Sequence, residues 1–249
     1  MVAGEAGRVR SPRGCRRRPI VVPCSAFAGY RFPREVILLA VRWYLRFGLS
    51  YRDVEELLAE RGVDVDHVTI YRWVQRFTPE LIDAARPCRH AVGGRWFVDE
   101  TYVRVAGVWR YVYRAVDQHG RVIDILVSAR RDGAAARRFF QRVLGEHPRP
   151  EQVTTDKAKA LTGAVQDELG DAEHDTRVHA NNRIESDHAR LKARLRPMRG
   201  LKRDRTASVV IRGHAFVQNL RRGHYELGIH ALSRRLRVAA AFDELARAI

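Results

Sequence analysis

The sequence predicts an α/β protein in which an all-α N-terminal region precedes a mixed sheet flanked by helices. Three observations lead to this prediction. Residues 33–80 have helical periodicity, with cap residues at the segment ends. Residues 96–105, 108–116 and 122–129 are three successive strands rich in aromatic and β-branched side chains. Beyond them, helical segments surround one further short strand, which gives the order β-β-β-α-β-α-α.

The three N-terminal helices are bounded by recognisable start and stop residues. Pro33 opens the first helix at a first-turn position, and Gly48 follows its end. Ser50 caps the second helix and Gly62 ends it. The third helix, "HVTIYRWVQRF", has one apolar face formed by Ile70, Trp73, Val74 and Phe77.

A polar and basic face lies opposite this apolar face. Its members are Thr69, Arg72, Gln75 and Arg76. Arg and Gln are the side chains that form paired hydrogen bonds with guanine and adenine edges. Three short helices with a tight turn before the last are typical of a helix-turn-helix motif. On this pattern alone, a plain helical bundle with a solvated basic face stays open as the alternative.

The charge of the chain favours a polyanionic partner. Lys and Arg total 46 against 29 Asp and Glu, which gives a formal net charge of +17. Arg outnumbers Lys, and its guanidinium makes forked contacts with phosphate. Codon usage in a GC-rich genome would explain Arg over Lys, but less easily so large an excess of positive charge. We therefore expect nucleic acid as the partner.

Shifts in composition divide the chain into five predicted parts. These are a disordered basic extension over 1–30, a helix-turn-helix domain over 31–80, a linker over 81–94, an α/β domain over 95–200 and a basic helical region over 201–249. Three scattered cysteines without metal-ligand spacing indicate a reducing compartment. No stretch approaches the roughly 18–20 apolar residues of a membrane span. We expect a cytoplasmic, nucleoid-associated protein with no membrane partner.

Carboxylates occupy unexpected positions in the predicted α/β domain. Asp99 and Glu100 interrupt the first strand, "RWFVDETYVRV", where an unpaired buried carboxylate is costly. Asp156 follows the fourth strand, and Glu185 lies in the first turn of the helix over 182–195. Taken singly, an ion pair explains Asp99, capping of the next helix explains Asp156, and the helix dipole explains Glu185.

Together these carboxylates indicate a metal site. The first and fourth strands are expected to be neighbours, and a late helix across their ends would bring Asp99, Asp156 and Glu185 together. Converging like charges are unstable without a cation, and hard oxygen ligands suit Mg²⁺ or Mn²⁺. Two such ions about 3.5–4 Å apart promote attack on a phosphodiester. Because successive strand residues point to opposite faces, we expect Glu100 to be paired or solvated elsewhere.

The helix that follows the site has two adjacent stripes. Glu185, His188, Lys192 and Arg196 share a polar stripe. Ile184, Leu191 and Leu195 share a neighbouring apolar stripe for packing. The polar stripe would hold DNA phosphates near the metal ions. An ordinary surface helix with charge pairs remains the alternative.

Five blocks of the sequence occur in the order found in a known family. They are "PREVILLAVRWYLRFGLSYRDVEELLAERGVDVDHVTIYRWVQRF", "WFVDETYVRV", "WRYVYRAVD", "TTDKA" and "NNRIESDHARLK", and they span roughly residues 30–225. In these blocks the chain resembles the DDE transposases of bacterial insertion sequences, and insertion sequence family six in particular. The resemblance places the catalytic triad at Asp99, Asp156 and Glu185. Lys192 matches the basic residue that this family places after its Glu. The resemblance also implies an RNase H-like DDE catalytic domain over 95–200.

The resemblance implies a transposase that binds the terminal inverted repeats of its insertion sequence. Its chemistry would be metal-dependent phosphodiester hydrolysis followed by transesterification into target DNA, with two Mg²⁺ or Mn²⁺ ions held by the triad. The implied partners are double-stranded DNA and further copies of the chain, as a dimer or larger homo-oligomer. The residues expected to contact DNA are Thr69, Arg72, Gln75, Arg76 and Lys192. The alternatives are a helix-turn-helix regulator or inactive transposase remnant that binds without cutting, and an RNase H-type nuclease that does not join strands.

Overall fold

A helical N-terminal layer precedes a five-stranded mixed sheet. The structure, a computed structural model, describes residues 25–156, 158–177, 181–198 and 201–249, and for Arg183 only the backbone. In the N-terminal layer α1 spans Arg34–Arg46, α2 spans Tyr51–Ala59 and α3 spans His67–Ala85. Within the described ranges, no helix has the length and apolar character needed to cross a bilayer.

Cap residues explain where the N-terminal helices begin. Ser50 forms a capping box with Asp53: Ser50 Oγ accepts from the Asp53 N–H at 3.2 Å, and Asp53 Oδ2 accepts from the Ser50 N–H at 2.7 Å. Asp66 caps α3, and its Oδ1 accepts from the N–H groups of Val68 and Thr69. α3 continues past Pro79 to Ala85, so it is longer than expected and includes the first part of the predicted linker.

The segment before α1 packs on α3. Of the predicted extension over 1–30, residues 1–24 lie outside the described residues. Residues 26–29 form a turn, and the ring of Phe27 stacks on Phe77 with centroids 4.7 Å apart. Phe27 is thereby buried in the N-terminal core.

The sheet has the strand order β3-β2-β1-β4-β5. Its strands are β1 (Arg95–Val105), β2 (Val108–Asp117), β3 (Val122–Ser128), β4 (Gln152–Thr154) and β5 (Glu173–Asp175). The first three form an antiparallel meander, whereas β4 runs parallel to β1, and β5 runs parallel to β4. The predicted neighbourhood of the first and fourth strands is confirmed. β5 was not expected, because its three residues have no strand pattern.

Helices cover both faces of the sheet. α4 (Gly133–Glu146), capped by Asp132, and α5 (Lys159–Glu168) pack on one face through a core that includes Trp96, Val98, Phe139, Phe140 and Leu161. α6 (Asn182–Leu195) and α7 (Asp204–Arg222) pack on the other face through Val103, Val105, Leu191 and Ile211. This confirms the predicted α/β class, and the strand order is that of the RNase H-like fold.

α7 joins the N-terminal helices to the sheet. Ala207, Ile211 and Ala215 of α7 pack on the sheet. Phe216, Val217 and Leu220 belong instead to the core of the N-terminal helices, which also receives α8 (Arg237–Leu245). At Gly213 an added Cβ would lie 2.7 Å from side-chain atoms of Leu45 in α1 and Thr78 in α3. α7 therefore approaches these helices as closely as glycine allows. The five predicted domain boundaries stay predictions.

A buried charge network ties β2, α6 and α7 together. Arg114 of β2 is fully buried and pairs through Nε with Asp187 of α6. Its Nη2 donates to Gln218 Oε1 of α7 at 2.8 Å. Arg222 Nη2 lies 3.0 Å from the other oxygen of Asp187. A buried pair of this kind is costly to break, because removing one partner leaves the other charge desolvated and alone.

We expect Asp187→Asn to destabilise the fold by about 3–5 kcal/mol, because Arg114 would keep its charge without a counterion. Urea unfolding followed by circular dichroism measures this loss. Asp204→Asn is the matched control, because its carboxylate pairs with Arg110 at a half-exposed site. The control should lose no more than about 1 kcal/mol. Equal losses in the two variants would contradict the role given to the buried pair.

Candidate active site

The carboxylates of β1 lie just past the point where the pairing of this strand with β4 ends. β4 pairs with β1 only from Arg95 to Phe97 and ends at Thr154. At the next residue, the side chain of Asn181 takes over, with Nδ2 donating to the Val98 carbonyl at 3.2 Å. Beyond this point, side chains from both faces of β1 can turn around the strand edge toward the end of β4.

Three carboxylates meet at this edge. Asp99, Glu100 and Asp156 each offer an oxygen within 4.8 Å of the other two. Asp99 and Asp156 are thus brought together. The expectation that Glu100 lies away from the site is wrong, although its side chain is paired, with Arg131. The alternation of strand faces does not separate the two carboxylates here, because the edge of β1 that faces β4 is unpaired beyond Phe97, although β2 continues along the other edge.

The loop before α5 holds Asp156 in place. Its Oδ1 accepts from the Ala158 N–H at 2.9 Å, which satisfies a donor just ahead of the helix. The preceding Thr155 donates its N–H to the Asp175 carbonyl of β5 at 3.1 Å. The Oδ2 atom of Asp156 lies 3.9 Å from Arg131 Nη2. Asp156 therefore accepts a hydrogen bond at the start of α5 and also contributes an oxygen to the carboxylate cluster.

The cluster has an excess of negative charge. Burial, together with the neighbouring Glu100 and Asp156, raises the pKa of Asp99 to about 7. Burial also raises the pKa of Glu100, while the Arg131 guanidinium opposes that rise. A divalent cation among these oxygens would remove the repulsion and favour the ionised forms. Carboxylate oxygens are also the ligands that Mg²⁺ and Mn²⁺ prefer, so these residues fit such an ion.

Glu185 is not part of this cluster. It is exposed in the first turn of α6, and the group of clustered oxygens does not include it. α6 touches the cluster one turn later, where the buried His188 places Nδ1 3.6 Å from Asp99 Oδ2. Burial lowers the pKa of His188 to about 4, so this imidazole is neutral at pH 7. The structure thus brings two members of the predicted triad together and leaves the third at the near end of the adjoining helix.

The two predicted stripes of α6 differ in outcome. The apolar stripe is confirmed, with Ile184 and Leu191 buried and Leu195 half-buried. The polar stripe is divided, because His188 is buried whereas Glu185 and the two basic residues are exposed. The Nζ atom of Lys192 lies 4.7 Å from the ring centroid of Tyr102 on β1.

Sequence reasoning missed Arg131 as a member of the site. Its guanidinium pairs with Glu100 and lies 3.9 Å from Asp156, and no other guanidinium or ammonium group of the described residues forms an ion pair with these carboxylates. The available signal was its place directly before Asp132, which caps α4, next to the end of β3. That position brings the residue to the same end of the sheet as Asp156.

The predicted DNA-reading face of α3 divides between two grooves. Thr69, Arg72 and Arg76 line a groove with a volume of about 630 Å³, together with residues 29–32. Gln75 lines a separate groove with Tyr51 and Tyr71. Positions 69, 72 and 76 follow the i, i+3, i+7 spacing of one helix face, whereas 75 continues the face of 68 and 71. The structure therefore groups three of the four residues.

The three grouped residues differ in how free they are to bind. Arg72 is exposed, and none of the ion pairs among described residues includes it. Arg76 pairs with Glu80 at 2.9 Å, one turn along the same helix. Thr69 Oγ1 donates to the capping Asp66 at 2.7 Å. Of these three side chains, Arg72 alone has neither an ion pair nor a side-chain hydrogen bond among the described residues.

We expect Asp99→Asn and Asp156→Asn each to weaken Mn²⁺ binding by at least about tenfold, because each removes one anionic oxygen ligand. Titration calorimetry measures the affinity, and thermal unfolding reports whether the variant is folded. Asp167→Asn is the control, since that carboxylate is exposed and pairs with Arg137 far from the cluster. Unchanged Mn²⁺ affinity in both cluster variants would show that the carboxylates do not hold a metal.

Comparison with known proteins identifies the α/β region. Residues 93–224 match the family model described as a DDE domain. The transposase for insertion sequence-like element IS431mec of Staphylococcus aureus strain N315 is 39% identical over 169 residues, which are 66% of this chain and 75% of that protein. The transposase for insertion sequence element IS257 in transposon Tn4003, also from Staphylococcus aureus, is 38% identical over 169 residues, which are 66% of this chain and 75% of that protein.

Two solved structures share a weaker likeness. The HTLV-2 integrase catalytic core domain in complex with magnesium, in its trimeric form, has 13% identity and a TM-score of 0.40 over 61% of this chain and 99% of that chain. The simian T-cell lymphotropic virus intasome in complex with PP2A regulatory subunit B56 gamma has 17% identity and a TM-score of 0.42, covering 60% of this chain and 56% of that chain.

Proposed function

Because this chain belongs to the DDE transposases of insertion sequence family six, we propose that it binds the terminal inverted repeats of its element and transfers the cut ends to target DNA. The observation that carries the proposal is the meeting of Asp99 and Asp156 at the edge of β1. Its reaction is hydrolysis of a phosphodiester followed by transesterification at the same carboxylates. The cellular DNA on which it acts would place the protein in the bacterial cytoplasm, at the nucleoid.

Enzymes of this family use divalent metal, and we assign Asp99, Asp156 and Glu185 as the ligands of two Mg²⁺ or Mn²⁺ ions. When bound, such ions activate the attacking hydroxyl and stabilise the leaving oxygen. Asp99 and Asp156 supply the part of the site that the sheet already fixes. Glu185 would complete it from the N-terminal turn of α6, while Glu100 keeps Arg131 as its partner.

Other side chains of the site position the strand and the helix. His188 holds α6 against Asp99 as a neutral group and so adds no charge to the cluster. Arg131 compensates part of the negative charge next to Asp156. Lys192 is exposed about two turns beyond Glu185 on α6, and we assign it to a phosphate of the bound strand.

Recognition of the repeats is assigned to α3. Thr69, Arg72 and Arg76 share one face and would contact bases or phosphates, while Gln75 would act from the neighbouring groove. Joining both ends of an element in one event requires that two active sites hold two ends. This requirement supports a homo-oligomer, a dimer or larger, on the paired ends.

A DNA-binding regulator or an inactive remnant remains the alternative function. It would need the groove at α3 but not the carboxylates. The clustering of Asp99 with Asp156, together with the pKa of Asp99 that burial and the neighbouring carboxylates raise, favours the enzyme.

We expect wild-type protein with Mg²⁺ or Mn²⁺ to join a labelled duplex carrying the terminal repeat to target DNA. Glu185→Gln should lower strand transfer by at least about a hundredfold while binding of the duplex is kept, because it removes a ligand charge and little volume. Gel analysis of joined and nicked products measures both steps.

The products distinguish the candidate functions. Nicked but never joined DNA would identify a nuclease, and binding without metal-dependent cleavage would identify a regulator or remnant. Glu168→Gln is the matched control on α5, where the carboxylate accepts from Gln141 at an exposed site. This control should retain full strand transfer.

We expect Arg72→Ala to weaken binding of the terminal repeat by about tenfold, since one good contact to a base edge contributes about 1–3 kcal/mol of discrimination. Fluorescence anisotropy against repeat and scrambled duplexes at two salt concentrations measures it. A loss confined to the repeat indicates base reading, whereas an equal loss on both duplexes with a shallower salt dependence indicates phosphate contact. Arg34→Ala, at an exposed position in the first turn of α1, is the control. Equal affinities of Arg72→Ala and wild type would remove α3 from the proposal.

A further inference from the structure

The β1–β2 hairpin extends beyond the pairing of β4. β1 and β2 stay paired as far as Val105 and Val108, whereas β4 stops opposite Phe97. The connecting turn has positive φ at Ala106 (50°) and Gly107 (79°), which suits the twist of a two-residue hairpin. The Ala106 N–H donates to the Leu201 carbonyl at 2.7 Å, so the tip is anchored. The hairpin is therefore a supported element of the fold.

Two large aromatic side chains are exposed on one face of this hairpin. Tyr102 is 54% exposed and Trp109 is 46% exposed. Their ring centroids lie 5.0 Å apart with an interplanar angle of 90°. All 4 tryptophans of the chain are described, and Trp109 alone among them is exposed. Burying these rings would stabilise the fold, so their exposure together favours a role in binding.

Each of the two rings has a cation next to it. The guanidinium carbon of Arg104 lies 4.6 Å from the Trp109 ring centroid, and Lys192 Nζ lies 4.7 Å from that of Tyr102. Neither cation takes part in an ion pair within the described portion of the chain, whereas the neighbouring Arg110 pairs with Asp204. Arg104 and Lys192 are therefore available to bind an anionic group of another molecule. We call Tyr102, Arg104, Trp109 and Lys192 the hairpin platform.

The hairpin platform adjoins the carboxylates on two sides. Tyr102 follows Glu100 by two residues on the same face of β1, which is about 7 Å along a strand. Lys192 lies two helical turns from Glu185 on α6. A DNA strand with a phosphate at the carboxylates would have its neighbouring nucleotides beside these rings.

We propose that the hairpin platform binds an unpaired nucleotide of the DNA strand at the active site. The base would stack on the exposed rings, and Arg104 and Lys192 would contact the flanking phosphates. Aromatic faces combined with unengaged cations are the means by which proteins hold single-stranded DNA. A duplex is disfavoured as the ligand, because its base faces are already stacked on one another. The inference rests on the proposed function, which brings cut strands to this place.

Trp109 supplies its own signal for the test. The full chain, in EDTA so that no cleavage occurs, is titrated with a short single-stranded oligonucleotide and with the blunt duplex of the same sequence. We expect the single strand to quench tryptophan emission, and Trp109→Phe to lose this quenching. Trp109→Ala should bind the single strand about tenfold more weakly, the loss typical of one stacked base, and Trp109→Phe should recover part of the affinity.

Two controls keep this result specific. Val108→Ala changes a neighbour that is 54% exposed on the opposite face of β2, and its affinity should be unchanged. Trp43→Phe removes the half-buried tryptophan beneath Arg61 and should retain the quenching. Thermal unfolding shows whether Trp109→Ala is folded.

Equal single-strand affinities of wild type, Trp109→Ala and Val108→Ala would overturn the inference, as would full quenching in Trp109→Phe. This binding is measured without metal and without the terminal repeat, so its outcome does not depend on strand transfer. If wild type joins strands but Trp109→Ala binds normally, the inference fails while the proposed function stands. If the wild type never joins strands but the quenching is lost in Trp109→Phe, the inference stands while the proposed function fails.

Discussion

The buried ion pair between Arg114 and Asp187 determines where α6 lies on the sheet. Arg114 is opposite Asp99 in the register of β1 and β2, and Asp187 immediately precedes the His188 that touches Asp99. Desolvating both charges is compensated only by close pairing and by the further partners on α7. A shift of α6 along its axis would leave both charges buried and apart. The position of Glu185 and Lys192 relative to the carboxylates follows from this constraint.

The active site is assembled where β1 keeps β2 along one edge but has no strand along the other. A central strand with pairing on both edges would keep Asp99 and Glu100 on separate faces. Because β4 is only three residues long, both carboxylates and Asp156 share one region around a single guanidinium, that of Arg131. The resulting repulsion is stored by the fold in the metal-free protein and is relieved by a divalent cation.

Local rules predicted the elements well, because caps and periodicity are properties of short segments. Ser50 and Asp132 cap helices as expected, and the three long strands have nearly the predicted bounds. What could not be predicted depends on contacts distant in sequence. Gln75 lies in a different groove from Thr69, Arg72 and Arg76 because of how α2 and the later segments pack around α3. Glu100 joins the site because β4 is only three residues long. The triad was expected both from the order of the elements and from the family resemblance. Neither gives distances, so neither predicted that Glu185 would lie outside the cluster.

The close contact of α7 with both layers has a consequence for where the DNA is cut. α3, which we assign to the repeat, and the sheet, which holds the carboxylates, pack against different faces of one helix, with Gly213 at the tightest approach to α3. Under the proposed function, the distance from the repeat to the bond that is cut would be set by this rigid helix and not by a flexible linker. The packing of α7 would then determine how far from the recognised repeat the strand is cut.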